Sequence, residues 1–107
     1  MSESSTPEIA VEELAAVRMS GVLVDVREPE EYAAGHVPGA LPIPMSQLAN
    51  RMGEIDKGSP VFVICASGNR SSAMTDLLRG SGFDAVSVTG GTDAWAQTGR
   101  PLEGGLA

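Results

Sequence analysis

Four short apolar runs along the chain predict four β-strands. The runs lie at residues 22–26, 41–43, 60–65 and 85–89, and polar or glycine-rich segments separate them. The run at 60–65, "PVFVIC", is almost continuously apolar, which is typical of a strand covered on both faces. The run at 41–43 lies within "GHVPGALPIP", whose glycines and prolines allow only a short strand.

Apolar residues recur at helical spacing before and between these runs. The segment "VEELAAVRM" predicts a first helix, which Gly21 ends. Its apolar face consists of Val11, Leu14, Ala15 and Met19. The segment "PEEYAAG" predicts one or two helical turns that begin at Pro29 and end at Gly35.

Three further segments predict helices in the second half of the chain. "SQLANRMGEI" begins with Ser46 as an expected N-cap, and Gly80 and Gly82 end the helix of "SSAMTDLLRGSG". The residues expected to face inwards are Leu48, Met52 and Ile55 in the first segment, and Met74, Leu77 and Leu78 in the second. "GGTDAWAQTG" predicts a short helix between glycines. This alternation of strands and helices is typical of an α/β domain with a mainly parallel sheet.

Composition and charge narrow the class of protein. The chain has 107 residues, of which 42% are apolar, as expected for one globular domain. Its net charge of −7 disfavours non-specific binding to nucleic acid or to a membrane surface. The terminus "MSESSTPE" lacks the pattern of a signal peptide, and no apolar run approaches the ~20 residues of a membrane span. We therefore expect a cytoplasmic protein.

The only cysteine, Cys65, lies where the longest apolar strand passes into a loop. One cysteine cannot form an internal disulfide, nor a zinc site with the single histidine. In the loop "CASGNRSS", Gly68 allows a tight turn and Arg70 adds a positive charge. Ser71 and Ser72 are expected to cap the helix that follows. The amides of residues 66–71 can form an anion-binding nest, so the sequence favours a reactive thiolate over an inert buried cysteine.

The loop can supply the free energy that is needed to stabilise such a thiolate. Lowering the pKa of Cys65 by two units requires that its environment stabilise the thiolate over the thiol by ~2.7 kcal/mol. A helix N-terminus contributes ~0.3–1 kcal/mol and each charge-assisted hydrogen bond ~1.5–3 kcal/mol. A histidine base is therefore not required.

Other conspicuous residues have structural interpretations. Asp25 and Arg27 end a strand at the edge of the sheet where Cys65 lies, and we expect them to form ion pairs there. His36 lies in the turn-rich "GHVPG" and is expected to pack or to form hydrogen bonds rather than to act as a base. Trp95 and Tyr32 are expected to pack in the core and at its edge. The acidic stretch "EPEE" is expected to form a solvated face.

Three motifs in order resemble the rhodanese family. "CASGNRS" resembles its active-site loop, Cys-x-x-Gly-x-Arg-Ser, and "VLVDVREPEEYAAGHVPGALPIP" and "GGTDAWAQTGRPL" resemble its first and closing signatures. The resemblance implies a single rhodanese-like domain at residues 8–103, between a flexible N-terminal tail (1–7) and a C-terminal tail (104–107). The implied fold is a five-stranded, mainly parallel sheet with helices on both faces.

The resemblance also implies sulfur transfer through a persulfide of Cys65. The donor is thiosulfate or a persulfide, the acceptor is cyanide, a small thiol or a protein thiol, and no metal or organic cofactor is implied. The implied substrate-binding residues are Ala66, Ser67, Gly68, Asn69, Arg70 and Ser71. Thiosulfate-preferring relatives often carry another basic residue in this loop, where this chain has Ala66 and Ser67. Ala10 also takes the place of a usual helix-capping Ser or Thr.

Two other functional classes fit parts of the pattern. Phosphatases or arsenate reductases combine a thiolate, an amide nest and an arginine, but related phosphatases place five residues between Cys and Arg. "CASGNR" places four there, which implies a smaller cradle. A sulfur carrier or interaction module without turnover is the other class, because a fold does not imply an activity.

Overall fold

A five-stranded sheet organises the chain. The computed structural model describes residues 6–105, and the parts of the predicted tails at 1–5 and 106–107 lie outside the described residues. The strands are β1 (Glu8–Ile9), β2 (Val22–Asp25), β3 (Leu41–Pro42), β4 (Val61–Ile64) and β5 (Ala85–Val88). They pair in the order β1-β5-β4-β2-β3, and every pairing is parallel. The predicted α/β class and the five-stranded parallel sheet are confirmed.

Helices cover both faces of the sheet. The α-helices are α1 (Val11–Val17), α2 (Pro29–Ala34), α3 (Asn69–Gly80) and α4 (Gly91–Gln97). Shorter 3-10 helices span Arg18–Ser20, Met45–Asn50 and Met52–Glu54. In the central strand β4, Val61 and Val63 face the cluster that contains Leu78 of α3, whereas Phe62 faces the cluster that contains Trp95 of α4. This alternation with a period of two builds one core on each side of the sheet.

Strand β1 is the element that the apolar pattern does not reveal. It has only two residues, too few to show alternation along the sequence. The chain next to it is fixed by hydrogen bonds from the amides of Ser87 and Thr89 to the carbonyl oxygens of Pro7 and Ile9, at 2.9 and 2.8 Å. The strand therefore exists because β5 offers it a partner, not because of a local preference.

Two of the predicted inward-facing residues point outwards instead. Met19 is 89% exposed, because α1 ends at Val17 and the change to a 3-10 helix rotates the following side chains. Leu77 is 36% exposed. The buried residues of α3 are Ser71, Thr75 and Leu78, a stripe whose first members are polar.

The segment "SQLANRMGEI" does not form the predicted α-helix. It forms two 3-10 helices, and Pro44 rather than Ser46 precedes the first of them, with no side-chain cap. Asn50 and Gly53 have low helix propensity, and a segment this short cannot propagate an α-helix past them. The inward direction of Leu48 is nevertheless correct, since this residue is fully buried.

The strand order creates a crevice at the carboxyl edge of the sheet. The connection after β2 leads outwards to β3, and the connection after β4 leads to β5 on the other side. Adjacent strands whose connections leave in opposite directions open a binding crevice between the two loops. Asp25 and Arg27, at the end of β2, form a buried ion pair on one side of it, with Arg27 Nη2 2.9 Å from Asp25 Oδ2.

We expect Asp25→Ala to be strongly destabilising. The substitution leaves the guanidinium of Arg27 buried without its counter-charge, which typically costs about 3–5 kcal/mol of unfolding free energy. Urea denaturation of both chains measures the difference. Glu54→Ala is the matched control because the Arg51–Glu54 pair is exposed and screened by solvent. If the two variants lose stability equally, the buried pair does not support the end of β2.

Candidate active site

The sulfur of Cys65 lies buried between a strand end and a helix start. Cys65 directly follows β4, and only 1% of its surface is exposed. Its Sγ atom accepts hydrogen bonds from the backbone amides of Gly68, at 3.1 Å, and Ser71, at 3.3 Å. The Ser71 hydroxyl oxygen lies 3.5 Å from the same sulfur. Three polar groups of the loop and the first helical turn thus converge on one atom.

This sulfur takes the place of an N-cap side chain for α3. The helix begins at Asn69, and its N-cap residue is Gly68, which has a φ of 113° and no side chain to cap the helix. An N-cap side chain normally accepts a hydrogen bond from the second or third helical amide, and here Cys65 Sγ accepts the amide of Ser71. The prediction that Ser71 and Ser72 cap the helix is therefore wrong, because both lie inside it.

The N-terminus of α4 holds the same loop from the other side. The amide of Thr92 donates to the carbonyl oxygen of Cys65 at 2.8 Å, and the amide of Asp93 donates to that of Ala66 at 3.0 Å. Gly91, with a φ of 58°, lies so close that a Cβ atom there would overlap both carbonyl oxygens. The glycine pair of "GGTDAW" thus allows α4 to approach the loop backbone.

Ser87 is a buried member of the site that the sequence interpretation does not identify. It lies on β5, is 1% exposed, and its hydroxyl is 2.8 Å from that of Ser71. The Ser71 hydroxyl also lies 3.2 Å from the carbonyl oxygen of Gly68, so that oxygen and Cys65 Sγ compete for its proton. The signal in the sequence is a serine inside the otherwise apolar "AVSV".

The pKa of the Cys65 thiol results from opposing effects. Burial raises the pKa because a thiolate is poorly solvated away from water. The Ser71 hydroxyl and the amides of Ser71, Gly68 and Ser67 lower it by stabilising the anion, and the pKa lies below its ordinary value. This is the direction that the loop sequence predicts, and the groups responsible are dipoles of the loop and of the helix terminus.

Arg70 pairs with a carboxylate and makes no hydrogen bond to the sulfur of Cys65 among the contacts of residues 6–105. Its Nη1 and Nη2 atoms donate to Oε1 and Oε2 of Glu31 at 2.7 and 3.0 Å. The hydrogen bond from Arg70 holds the pKa of Glu31 at about 2. The "EPEE" stretch is therefore not simply a solvated face, because Glu31 reaches across the crevice to the loop.

Only some of the predicted site residues contact the sulfur of Cys65. Gly68 and Ser71 contact Sγ, and Ser67 contributes its amide to the shift in pKa. The backbone of Ala66 is held by α4, and Asn69 is exposed at the start of α3. The loop therefore surrounds Cys65 mainly with backbone groups.

His36 and Tyr32 form a packed pair within the core. His36 is 1% exposed, its ring stacks on that of Tyr32 at 3.6 Å, and its Nδ1 lies 2.8 Å from the Tyr32 carbonyl oxygen. Trp95 is also buried, and its Nε1 donates to the carbonyl oxygen of Pro101 at 3.0 Å. These contacts are structural, as the sequence interpretation expects for all three residues.

Two cavities of the described chain lie outside the loop that surrounds Cys65. The larger, of about 270 Å³, is lined by Met52, Lys57 and Phe83 among others, and lies towards the opposite edge of the sheet. The smaller, of about 180 Å³, is lined by Arg27, Tyr32 and three prolines among other residues. Within residues 6–105, no cluster of His, Cys, Asp and Glu has a composition suited to a metal ion. Among the same residues, no helix is long and apolar enough to cross a membrane.

Comparisons with known proteins extend the similarity well beyond the loop. Residues 6–98 match the family of rhodanese-like domains. Thiosulfate sulfurtransferase GlpE of Pseudomonas entomophila (strain L48) is 38% identical over 92 residues, which cover 84% of each chain. A rhodanese-related protein from Thermoplasma volcanium aligns with a TM-score of 0.87 at 32% identity, covering 94% of this chain and 99% of that one. A rhodanese-like domain protein from Staphylococcus aureus aligns with a TM-score of 0.82 at 35% identity, covering 92% and 97%.

We expect Ser71→Ala to raise the pKa of Cys65. The substitution keeps the backbone amide but removes a hydroxyl, and hydrogen bonds to charged groups contribute ~1.5–3 kcal/mol each. Only the thiolate is alkylated, so the iodoacetamide rate rises as the pH increases through the pKa. The midpoint of that profile should move upwards in Ser71→Ala. Ser72→Ala removes the neighbouring hydroxyl and is the control, and an equal shift in both would contradict this role of Ser71.

We expect Gly91→Ala to disturb the loop more than backbone strain alone explains. The new Cβ atom would push on the carbonyl oxygens of Cys65 and Ala66. Gly99 has a φ of 83° with open space around it, so Gly99→Ala carries only the strain of that conformation, roughly 1–2 kcal/mol. Urea denaturation and the alkylation profile of Cys65 compare the two variants. Equal losses of stability with an unchanged profile would show that α4 does not position the loop.

Proposed function

Because the chain belongs to the rhodanese-like domain family, we propose that it is a sulfurtransferase that carries sulfane sulfur on Cys65. The observation that carries this proposal is the convergence of two backbone amides and one hydroxyl on Cys65 Sγ. These groups favour a thiolate, which is the form of cysteine that attacks sulfur.

The reaction proceeds in two displacement steps. In the first, the Cys65 thiolate attacks the terminal sulfur of the donor, and a new S–S bond forms. The donor bond to that sulfur breaks, and its electron pair leaves on sulfite or on a thiolate. In the second, an acceptor attacks the outer sulfur of the persulfide, and the electron pair of the S–S bond returns to Cys65. Cyanide then leaves as thiocyanate, whereas a thiol acceptor attacks as its thiolate and leaves as a new persulfide.

The loop of residues 66–71 serves as the substrate cradle in this proposal. The amides of Gly68 and Ser71 already donate to Sγ, and in this proposal amides of the same loop stabilise the negative charge on the outer sulfur of the persulfide. When Cys65 is ionised, the first step needs no general base to remove a proton from it. The chain has no second cysteine, so an external acceptor must release the sulfur.

Loop size supports sulfur transfer over phosphate chemistry. Four residues separate Cys65 from Arg70, and Cys65 is 1% exposed. A terminal sulfur is a single atom that can reach a recessed thiolate, whereas a tetrahedral phosphate needs donors spread around four oxygens. The guanidinium of Arg70 also forms two hydrogen bonds to Glu31, so it is not free to bind a phosphate.

We expect the chain to become loaded with sulfur at one position. Intact-mass measurement after a pulse of thiosulfate or of a small persulfide should show the addition of one sulfur atom, and cyanide should remove it. Continuous formation of thiocyanate distinguishes an enzyme from a carrier that is loaded only once.

Cys65→Ser is the control, and it should take up no sulfur from either donor. A parent chain that no donor loads, or one that hydrolyses an aryl phosphate instead, would overturn the proposed function.

A further inference from the structure

We propose that Glu31 sets the charge preference of the site by holding Arg70, so that donors of low charge are favoured over dianions. The inference rests on the proposed sulfurtransferase function and concerns a residue outside the loop. In this role Glu31 is a positioning residue, because it acts through Arg70 and does not touch the sulfur.

The contact between the two side chains is specific. The two terminal nitrogens of the Arg70 guanidinium donate hydrogen bonds to the two carboxylate oxygens of Glu31, at 2.7 and 3.0 Å. A bidentate pair of this kind uses the donors with which arginine would otherwise bind an oxyanion. The two side chains are 32% and 34% exposed, so an anion from solvent can approach them and compete.

Glu31 is also fixed from its own side of the crevice. It lies in the first turn of α2, where its Oε1 atom accepts the amide of Glu28 at 2.9 Å as part of a capping box. With its pKa at about 2, the carboxylate stays charged at any neutral or mildly acidic pH. Glu31 therefore competes with an incoming anion for Arg70 throughout this pH range.

Two arginines at the crevice, Arg27 and Arg70, each have a carboxylate partner. Arg27 is paired with Asp25, and Arg70 is paired with Glu31. These four charges cancel, and the thiolate of Cys65 then adds a negative charge of its own. The chain as a whole carries −7. A dianionic donor therefore meets repulsion at long range and, at short range, finds Arg27 and Arg70 already paired.

Two small donors that differ by one charge can measure this preference. Thiosulfate is a dianion, and methanethiosulfonate is a monoanion in which a methyl group replaces one oxygen. Each presents a terminal sulfur to the Cys65 thiolate, and the leaving groups are sulfite and methanesulfinate respectively. For each variant, we compare the two donors by the ratio of their kcat/KM values, measured with cyanide as acceptor. The intrinsic reactivity of each donor is the same for every variant, so a change in this ratio reports a change in the protein.

The decisive variant is Glu31→Gln. Glutamine keeps an oxygen for the amide of Glu28, so the capping box of α2 is retained. It cannot accept both hydrogen bonds from Arg70, which becomes available to an anion. We expect the ratio of thiosulfate to methanethiosulfonate to rise about fivefold, the worth of one partly exposed charge contact. Thermal melting checks the fold, and Glu31→Ala gives a second test of the same ratio.

Two matched controls isolate the cause. Asp84→Asn changes the net charge equally, and Asp84 is exposed just before β5, at the edge of the sheet opposite to the crevice. It should leave the ratio unchanged. In an Arg70→Ala background, Glu31→Gln should produce a much smaller rise, because the arginine through which Glu31 acts is gone.

The outcomes separate this inference from the proposed function. If no donor loads the parent chain, the function itself is wrong. If both donors load it but Glu31→Gln leaves their ratio unchanged, the role of Glu31 is wrong and the function stands. An equal rise in Asp84→Asn, or an undiminished rise without Arg70, would assign the effect to net charge and also overturn the inference.

Discussion

The burial of one sulfur atom at the start of a helix is the constraint on which the site depends. An anion removed from water is stable only if fixed polar groups replace its hydration. The amides of Gly68 and Ser71 do this for Cys65 while the sulfur caps α3 in return. The helix and the nucleophile therefore stabilise each other, and α4 fixes the loop by binding the carbonyl oxygens of Cys65 and Ala66. Few side chains are needed because backbone dipoles supply most of the contacts.

The groups that lower the pKa of Cys65 are distinct from the charged pair of Arg70 and Glu31 at the crevice. Dipoles lower the pKa of Cys65, so no full positive charge has to lie against its sulfur. Arg70 is consequently free to take part in another interaction, and the crevice brings it to Glu31. The strand order is the reason, because the loops that follow β2 and β4 leave in opposite directions and face each other.

Local patterns in the sequence account for most of the fold. The apolar run that ends at Cys65 forms the central strand, since a strand covered on both faces needs apolar residues throughout. Pro29 begins α2 because its fixed φ suits the first helical position, and the helix ends before Gly35. The same reasoning predicts an α-helix after Ser46, but the segment forms only 3-10 turns. Leu48 nevertheless packs inwards, as predicted.

The sequence by itself therefore determined the class of fold, the position of Cys65 at a strand end and the direction of its pKa shift, since all three depend on neighbours along the chain. Tertiary structure alone decided the partners that come from distant segments. Glu31 and Arg70 are 39 residues apart, and Ser71 and Ser87 are 16 apart. Strand β1 likewise needs β5 beside it. Hydrogen bonds and ion pairs act over a few ångströms, and which distant groups come that close is set by strand order and loop direction, which leave no periodic signal in the sequence.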